Sequence, residues 1–226
     1  MALEDSPAVA RSPLSRERIA ETAVRVMDDE GLEAVTMRRL GRELGVEAMS
    51  LYNHVEDKED LFLAMIEAVL REFAFPGEDV RGWEDRVRLL ARAYREVLRS
   101  HPDVMQLFAE HKRPPTSLDS LRPIDTALRT LREAGLDDDE VIDTYKMFSG
   151  YIMGFVMMET RGMFARDAEI DPVAAVAAMP AEIVPTLAGL FPAMCLADPD
   201  REFDFGIEMM IAGLRDKVRG RDVKRR

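Results

Sequence analysis

The stretch TMRRLGRELGVEAMSLYNHVEDK, residues 36–58, reads as two short helices joined by a tight turn and followed by the start of a third. Thr36 is a good N-cap residue for the first helix, and Leu40 and Leu44 fall on one face of it. Gly45 stands where a helix needs a left-handed residue at its C-terminus. This punctuation predicts a short helix that ends in a glycine turn.

The second helix of this stretch is predicted over residues 47–55, about two turns at 3.6 residues per turn. Leu51 and Val55 face inward at a spacing of four, and the rest of the segment is small, polar or aromatic. These outward positions are Ala48, Met49, Ser50, Tyr52, Asn53 and His54. A short helix of this composition after a glycine turn is typical of a helix-turn-helix recognition element. A helical hairpin that only packs has the same spacing, so the spacing alone does not separate the two.

The sequence around the motif closely resembles the N-terminal domain of the tetracycline-repressor (TetR) family of transcriptional regulators. The matching pieces are the Ala-rich first helix, the EGLEAVTMRRLGRELGV block, the LYNHV segment and the DKEDLF start of the fourth helix. Together they cover Ser15 to Phe73. The family usually has another residue, often an aromatic one, where Asn53 stands, so its base preference does not transfer.

The rest of the chain resembles the tetracycline repressors more loosely, over Trp83–Val218, and poorly across residues 165–198. The segment FDFGIEMMIAGLRDKV is similar to their last helix. The resemblance implies an all-α fold with an N-terminal three-helix helix-turn-helix DNA-binding domain. It also implies a larger C-terminal helical domain for ligand binding and dimerisation.

Composition is that of a globular protein without a disulfide framework. The chain has 226 residues, 47% hydrophobic and 33% charged, and a single cysteine, Cys195. One cysteine suits a reducing cytoplasm, and no apolar run approaches the roughly 20 residues of a membrane span. Residues 1–14 have no apolar h-region and are expected to be a disordered leader, not a signal peptide. We therefore expect a cytoplasmic protein without a membrane partner.

The net charge of −12 argues against a DNA-binding protein if it is taken alone, because phosphate contacts need cations. The distribution partly answers this objection. Residues 36–46 carry Arg38, Arg39 and Arg42 against Glu43 only, and Lys58 begins the next helix. A dimer can therefore present two small positive faces on an otherwise acidic surface, with modest non-specific DNA affinity.

Helix signals along the chain predict a DNA-binding domain over residues 15–73, a second domain over 78–219 and a basic tail over 220–226. Helices are expected over residues 16–30, 83–100, 101–110, 117–134, 137–164 and 199–218, besides those of residues 36–73. The fourth helix, after Asp57, carries an apolar stripe long enough to join the two domains. Residues 165–185, rich in proline and alanine, are expected to form a loop or a loosely helical passage.

Glycines on the two longest helices of the second domain indicate close helix packing. A glycine inside a helix costs about 1 kcal/mol relative to alanine, so repeated use suggests close backbone approach. In tetracycline repressors the corresponding helices build a four-helix dimer interface, which the resemblance carries to a set of five residues. This set is Gly150, Gly154, Gly206, Met210 and Gly213. Packing within one chain is the alternative use of these residues.

The family motif assigns DNA contacts residue by residue. Ala48, Met49, Ser50 and Asn53 are expected to face base edges, with Arg38 reaching a base or a phosphate. Thr36, Tyr52, His54 and Lys58 are expected at phosphates, and Met37 completes the set. Met49 could instead be partly core, and His54 could only pack against the fourth helix. Two-fold protein symmetry predicts a near-palindromic double-stranded DNA operator.

The resemblance also implies pocket positions for a small-molecule effector. They are Phe73, Leu90, Tyr94, Phe108, His111, Ala127, Tyr151, Phe155 and Glu159. Tetracycline repressors bind a drug–magnesium chelate through histidines and other polar groups, and Phe108 and Tyr151 stand where that chelate needs imidazole. Without imidazole or clustered carboxylates, Mg²⁺ has little to hold it. We expect an apolar or aromatic effector bound without metal or cofactor, and no response to tetracycline.

Methionines are expected to add a soft lining to this pocket along the helix of residues 137–164. They are Met147, Met153, Met157, Met158 and Met163. Simple core packing is the alternative, and we expect it for about half of the pocket and methionine positions.

Catalytic signatures are missing from the sequence: it has no C-x-x-C, H-E-x-x-H, P-loop, G-x-S-x-G or G-x-G-x-x-G pattern. Glu159 and Asp143 lie 16 residues apart, more than 20 Å along a helix at 1.5 Å per residue, too far to share one substrate bond. We expect a ligand-responsive repressor and not an enzyme. The alternatives are a dimeric helical sensor or interaction protein without DNA binding, and an activator of the same fold.

Overall fold

The computed structural model describes residues 13–75, 80–110, 116–162, 171–196 and 198–224, and these residues form helices, turns and extended links without a β-strand. The N-terminal head contains α1 (Arg16–Glu30), a 3₁₀ turn (Leu32–Ala34), α2 (Met37–Leu44), α3 (Ala48–Leu51) and α4 (Lys58–Arg71). The all-α class and the two-part organisation inferred from the sequence are confirmed.

Side-chain caps define the helices of the head, as their sequence signals predict. Ser15, Thr36 and Asp57 each accept a hydrogen bond from the backbone N–H three residues further on, at the starts of α1, α2 and α4. Gly45 ends α2 with φ 71°, in the left-handed region that glycine adopts without a Cβ penalty.

The turn between α2 and α3 depends on Gly41, a residue that its place in the middle of a helix does not single out. A Cβ added at Gly41 would lie 2.9 Å from the carbonyl oxygen of Val46 and 3.2 Å from the backbone nitrogen of Ala48. The Val46 N–H donates to the Gly41 carbonyl at 2.9 Å. The absent side chain therefore allows the second helix to lie directly against the first.

Helix α3 is shorter than the predicted 47–55 segment. It ends at Leu51, and residues 52–54 form a turn in which the His54 N–H donates to the Leu51 carbonyl at 2.9 Å. Leu51 and Val55 are buried as expected, at 0% and 1% exposed. The turn replaces the second helical turn because it buries Val55 while bringing Asp57 into place as the cap of α4.

The C-terminal domain contains α5 (Trp83–Ser100), α6 (Val104–Glu110), α7 (Leu118–Glu133), α8 (Asp138–Arg161), α9 (Pro172–Ala177), α10 (Pro185–Cys195) and α11 (Pro199–Lys224). Asp137 and Glu140 form the predicted capping box at the start of α8. Gly135, with φ 93°, separates α7 from α8. Helices α5, α7 and α8 pack against one another, and α7 also packs against α4.

Three boundaries differ from those inferred from the sequence. Helix α8 ends at Arg161 instead of near residue 164, and α11 runs to Lys224 instead of near residue 218. Within residues 171–196 the proline- and alanine-rich passage forms two regular helices, α9 and α10, each with proline in its first turn. The leader predicted over residues 1–14 lies almost wholly outside the described residues. The candidate residues His111 and Met163 also lie outside them.

Helix α4 is the element shared by the two domains. Every residue from Leu61 to Leu70 is buried, including the carboxylate residue Glu67. It packs on α1 within the head and on α6 and α7 of the C-terminal domain. A displacement of α4 in the C-terminal domain would therefore be transmitted directly to the head. No helix in the described part of the chain is long and apolar enough to cross a membrane.

Candidate DNA-reading surface and effector cavity

The outward face of α3 and the following turn is open to solvent. Met49 is 71% exposed and Tyr52 is 47% exposed. Asn53 and His54 are also exposed, whereas Ala48 and Ser50 are half-buried. Met49 is therefore not part of the core, and His54 is not buried against α4, which removes both alternative interpretations of these residues.

The cations beside α3 differ in their availability. Arg39 pairs with Glu30 at 2.7 Å and with Glu43 at 2.7 Å, so its charge is already neutralised within the head. These hydrogen bonds raise the pKa of Arg39. Arg38 and Lys58 are exposed and form no ion pair with any described residue. The positive face is thus narrower than the arginine count of residues 36–46 indicates.

A cavity of about 530 Å³ lies between α4, α5, α6, α7 and α8. Five of the predicted pocket residues line it: Phe73, Leu90, Tyr94, Phe108 and Ala127. The wall also contains Leu63, Ile66 and Leu70 of α4. The cavity therefore touches the helix that enters the DNA-binding head.

Few polar side chains reach this mostly apolar and aromatic wall. Tyr94, Tyr145, Lys146 and Ser149 line the cavity. Burial raises the pKa of both tyrosines, and a hydrogen bond with Ser149 partly opposes the rise for Tyr145. Both phenols therefore stay neutral at physiological pH and can donate or accept hydrogen bonds. An apolar enclosure with a few polar groups is the usual form of a small-molecule site.

Tyr151, Phe155 and Glu159 do not line the cavity, contrary to the assignment based on resemblance. They surround Arg95, which is 8% exposed and forms a two-pronged ion pair with Glu159 at 2.8 and 3.0 Å. The Arg95 guanidinium lies 4.8 Å from the ring centre of Phe203 and 5.4 Å from that of Phe155. This cluster fastens α5, α8 and α11 together, so Glu159 is committed to a structural ion pair.

Most of the methionines expected to line the pocket lie elsewhere. Met153 lines the cavity, but Met147, Met157 and Met158 are 45%, 55% and 55% exposed. The three exposed methionines share one side of α8 with Gly154 and with Gly150, which also borders the cavity, and an added Cβ at either glycine would meet nothing within 4 Å. Their soft apolar surface is available to a partner, not to the cavity.

On α11 the exposed apolar stripe is shifted by one residue from the predicted interface positions. Gly206 faces its own chain, because an added Cβ would lie 2.1 Å from the Tyr151 hydroxyl. Met210 packs against the core of the chain. The exposed residues are Phe205 at 67% and Met209 at 60%, with Gly213 on the same side.

Two polar clusters missed in the sequence join the head to the C-terminal domain. In the first, the Glu67 carboxylate accepts hydrogen bonds from Arg16 of α1 at 2.7 Å and from the Ser117 N–H before α7 at 3.0 Å. Burial alone would raise the pKa of Glu67, but these hydrogen bonds outweigh it and the pKa is lowered. Glu67 stays ionised and connects three helices.

In the second cluster, His101 lies between Asp28 of α1 and Glu72 at the end of α4, at 2.8 and 3.1 Å. Burial alone would lower the pKa of His101, but the hydrogen bonds with Glu72 and Asp28 outweigh it and leave the pKa raised. No local signal marks such a cluster, because its members come from residues far apart in the sequence.

Comparison with known proteins matches both parts of the chain. Residues 19–65 match the family model "Bacterial regulatory proteins, tetR family", and residues 75–218 match the model "Tetracyclin repressor-like, C-terminal domain". These two models cover most of the chain, including the motif of α2 and α3 and the helices around the cavity.

Similar individual proteins agree with the family models. The HTH-type transcriptional repressor DrrR1 of Streptomyces coeruleorubidus is 30% identical over 216 residues, covering 89% of this chain and 77% of that protein. The Escherichia coli class C tetracycline repressor is 26% identical, covering 91% of this chain and 92% of that protein.

Among solved structures, Streptomyces coelicolor ActR in complex with actinorhodin superimposes with a TM-score of 0.77 at 26% identity. That likeness covers 92% of this chain and 99% of ActR. The chain belongs to the TetR family and is a ligand-responsive, DNA-binding transcriptional regulator.

Proposed function

We propose that this protein is a homodimeric repressor that leaves a near-palindromic operator when an apolar or aromatic effector fills the cavity. The observation that carries this proposal is the position of α4. Its residues Leu63, Ile66 and Leu70 form part of the cavity wall, and its first residue, the exposed Lys58, follows the turn after α3 in the chain. One continuous helix thus connects a small-molecule site with a DNA-reading surface.

On DNA, we assign contacts with base edges to Ala48, Met49, Ser50 and Asn53. Met49 and Ala48 offer apolar contacts for thymine methyl groups, and Asn53 can form paired hydrogen bonds with adenine. Arg38 reaches a base or a phosphate. Thr36, Met37, Tyr52, His54 and Lys58 complete the contact set along the backbone.

We propose that the dimer interface forms through the exposed sides of α8 and α11. Met157 and Met158 on α8 and Phe205 and Met209 on α11 are each more than half exposed in the single chain. Gly154 and Gly213 leave open space beside them. Exposed apolar surface of this kind, lined with small residues, favours burial against an identical surface of a second copy related by two-fold symmetry.

For regulation, the effector would favour one of two dimer shapes. A ligand wedged between α4, α7 and α8 would move α4, and α4 would change the separation of the two heads. Such a ligand shifts the population toward the non-binding shape only by the difference of its affinities for the two shapes. ActR supports a ligand role for this fold, because its structures contain actinorhodin or (S)-DNPA.

For the effector's chemistry, the cavity supports a molecule bound without metal. Tyr151 and Phe108 replace the imidazoles that the resemblance to tetracycline repressors would require, and Glu159 is held by Arg95. Among the described residues no group of three or more His, Cys, Asp or Glu side chains could hold a metal ion. Hard cations need such clustered oxygen ligands.

The test is thermal shift and operator release with tetracycline plus Mg²⁺, compared with a panel of hydrophobic aromatic compounds in the presence of a chelator. The upstream DNA of the protein's own gene serves as the operator probe. We expect at least one aromatic compound to raise the melting temperature and release DNA under chelator, and tetracycline to do neither. Magnesium-dependent release by tetracycline would contradict the proposal, as would a wild-type protein that never binds the operator probe.

A further inference from the structure

The cavity has a cation at its rim. Lys146 of α8 lines the cavity and is at the same time exposed to solvent, which places this residue at the opening of the cavity. Lysine commonly buries its methylene stem along apolar surface while the ammonium stays near water. Tyr145 and Ser149 line the cavity beside it on the same helix.

This lysine has no carboxylate partner among the described residues. Two arginines of α5 and one of α11 differ in this respect. Arg88 pairs with Glu208, Arg95 with Glu159 and Arg215 with Glu84, each through a carboxylate at 2.9 Å or less. The positive charge at the cavity rim is therefore left for a group that the chain itself does not supply.

A second polar group inside the cavity is also without a partner. The Tyr94 hydroxyl forms no hydrogen bond with any described residue, although burial raises the pKa of Tyr94 and marks its surroundings as poorly hydrated. Burying a hydroxyl without a hydrogen bond costs free energy. A ligand oxygen placed against Tyr94 would recover that cost, and the neutral phenol would act as the donor.

We infer that the effector is an aromatic acid: a flat apolar body with an anionic group held at Lys146 and an oxygen atom near Tyr94. This inference rests on the proposed effector role of the cavity and adds the charge of the ligand. A carboxylate has an ordinary pKa near 4 and is ionised at neutral pH, so its hydrogen bond with the lysine ammonium is charge-assisted.

The probes are matched pairs of aromatic carboxylic acids and their primary amides, which differ in charge and hardly in shape. Anthracene-2-carboxylic acid with anthracene-2-carboxamide is the first pair, and pairs built on naphthalene and on anthraquinone extend the set. Binding is measured by calorimetric titration of the full-length protein under chelator. We expect the acid of the best pair to bind wild type about tenfold more tightly than its amide, as one charge-assisted hydrogen bond allows.

The decisive variant is Lys146→Met, which keeps the apolar stem and removes the charge. We expect it to lose the preference for the acid and so to bind acid and amide about equally, and its binding of ligand-free operator DNA shows that it is folded. Arg129→Met is the matched control, because Arg129 is an exposed cation of α7 that does not line the cavity. This control should keep the full preference for the acid. Tyr94→Phe tests the second contact. It should weaken binding of the anthraquinone acid more than binding of the anthracene acid, because only the anthraquinone ring carries oxygens that can accept a hydrogen bond from Tyr94.

The outcomes separate this inference from the proposed function. If amides bind wild type as tightly as acids, or if Lys146→Met keeps the preference for acids, the inference is overturned while the cavity remains an effector site. If no member of any pair binds, the proposed function itself fails and the inference fails with it.

Discussion

The DNA-binding head and the C-terminal domain are both built from amphipathic helices, but they fill their interiors differently. In the head, Ile19, Met27, Leu40 and Leu51 are each 0% exposed and belong to a buried cluster that continues through α4 into the C-terminal domain. Where α4 meets the C-terminal domain, the five helices α4 to α8 line a cavity of about 530 Å³, and α1, α2 and α3 contribute nothing to its wall. The DNA-binding head is tightly packed, whereas the C-terminal domain keeps a cavity open.

The difference indicates where this protein tolerates a void. Apolar cavities lower stability because the side chains around them lose packing contacts. A void of this size persists in the C-terminal domain, and a ligand that filled it would recover the lost contacts and stabilise the folded state. Substitutions in the head should therefore affect DNA binding, and substitutions in the cavity lining should affect the response to ligand.

The largest effect is expected for Gly41→Ala, which adds a Cβ 2.9 Å from the Val46 carbonyl oxygen. Because the clash is with backbone, α3 must move relative to α2. Overpacking of this kind costs about 1–3 kcal/mol, and we expect operator affinity to fall by up to about a hundredfold in gel-shift titrations.

Gly189→Ala on α10 is the matched control, because its added Cβ meets nothing within 4 Å. It should leave operator binding unchanged. Equal operator affinity for Gly41→Ala and wild type would mean that the α2–α3 turn is not constrained as the structure indicates.

The next effect concerns dimerisation and compares adjacent positions on α11. Met209→Glu places a charge in the exposed apolar stripe and should convert the dimer to monomer in analytical ultracentrifugation, with loss of operator binding. Met210→Leu, one residue away on the core-facing side, should stay dimeric. A stable wild-type monomer at micromolar concentration, or a dimeric Met209→Glu variant, would rule out this interface.

A smaller effect is expected at the junction of the two regions, where His101 contacts Asp28 and Glu72. Since the pKa of His101 is raised in the folded state, its ion pairs stabilise fully below the ordinary value of 6.5 and are lost as pH rises through the raised pKa. The melting-temperature advantage of wild type over His101→Gln should shrink between about pH 6 and pH 9.

Burial raises the pKa of Asp28 above its ordinary value of 3.8, so the comparison of wild type with His101→Gln gives most weight to the neutral and alkaline end of this range. His54→Gln, at an exposed position of the head, is the control and should show no such pH dependence. An advantage for wild type that is constant with pH would show that the charge of His101 does not support the junction.

The smallest effect is expected at the DNA surface itself. Lys58→Ala should weaken binding to all DNA sequences alike and lower the salt dependence of binding by about one counterion. Arg39→Ala should leave that slope unchanged, because the Arg39 charge is already paired with Glu30 and Glu43. Unchanged affinity and slope in Lys58→Ala would mean that the head docks on DNA in another orientation.

The features that the sequence predicts best are local ones. Thr36, Gly45 and Asp57 act on backbone groups within a few residues, so their residue types alone predict where helices begin and end. The sequence does not show why residue 41 must be glycine, because the group that a Cβ would meet is the backbone of Val46 across a turn. A glycine in a helical pattern also has several possible explanations. The early end of α3 was missed for a similar reason, since burial of Val55 competes with helix continuation.

The features that the sequence does not predict depend on helix rotation. A helix rotates by 100° per residue, so a shift of one position moves the interface of α11 from Gly206 and Met210 to Phe205 and Met209. On α8, the attraction of Glu159 to the distant Arg95 turns Tyr151 and Phe155 away from the cavity. Five pocket positions taken from the family resemblance do line the cavity, and they lie on α5, α6 and α7 or directly after α4.

The central claim is that occupation of the cavity controls DNA binding by the head. It is tested most directly by filling the cavity with a side chain. Ala127→Trp places an indole in the wall of the cavity, and Ala177→Trp places one on the exposed side of α9. Operator binding is measured for both variants and wild type, with and without an aromatic compound that releases the wild-type protein. Both variants are expected to fold and bind ligand-free operator DNA.

We predict that Ala177→Trp responds like wild type and that Ala127→Trp binds operator DNA but is not released by the compound. Release of Ala127→Trp at the same concentration as wild type would contradict the account.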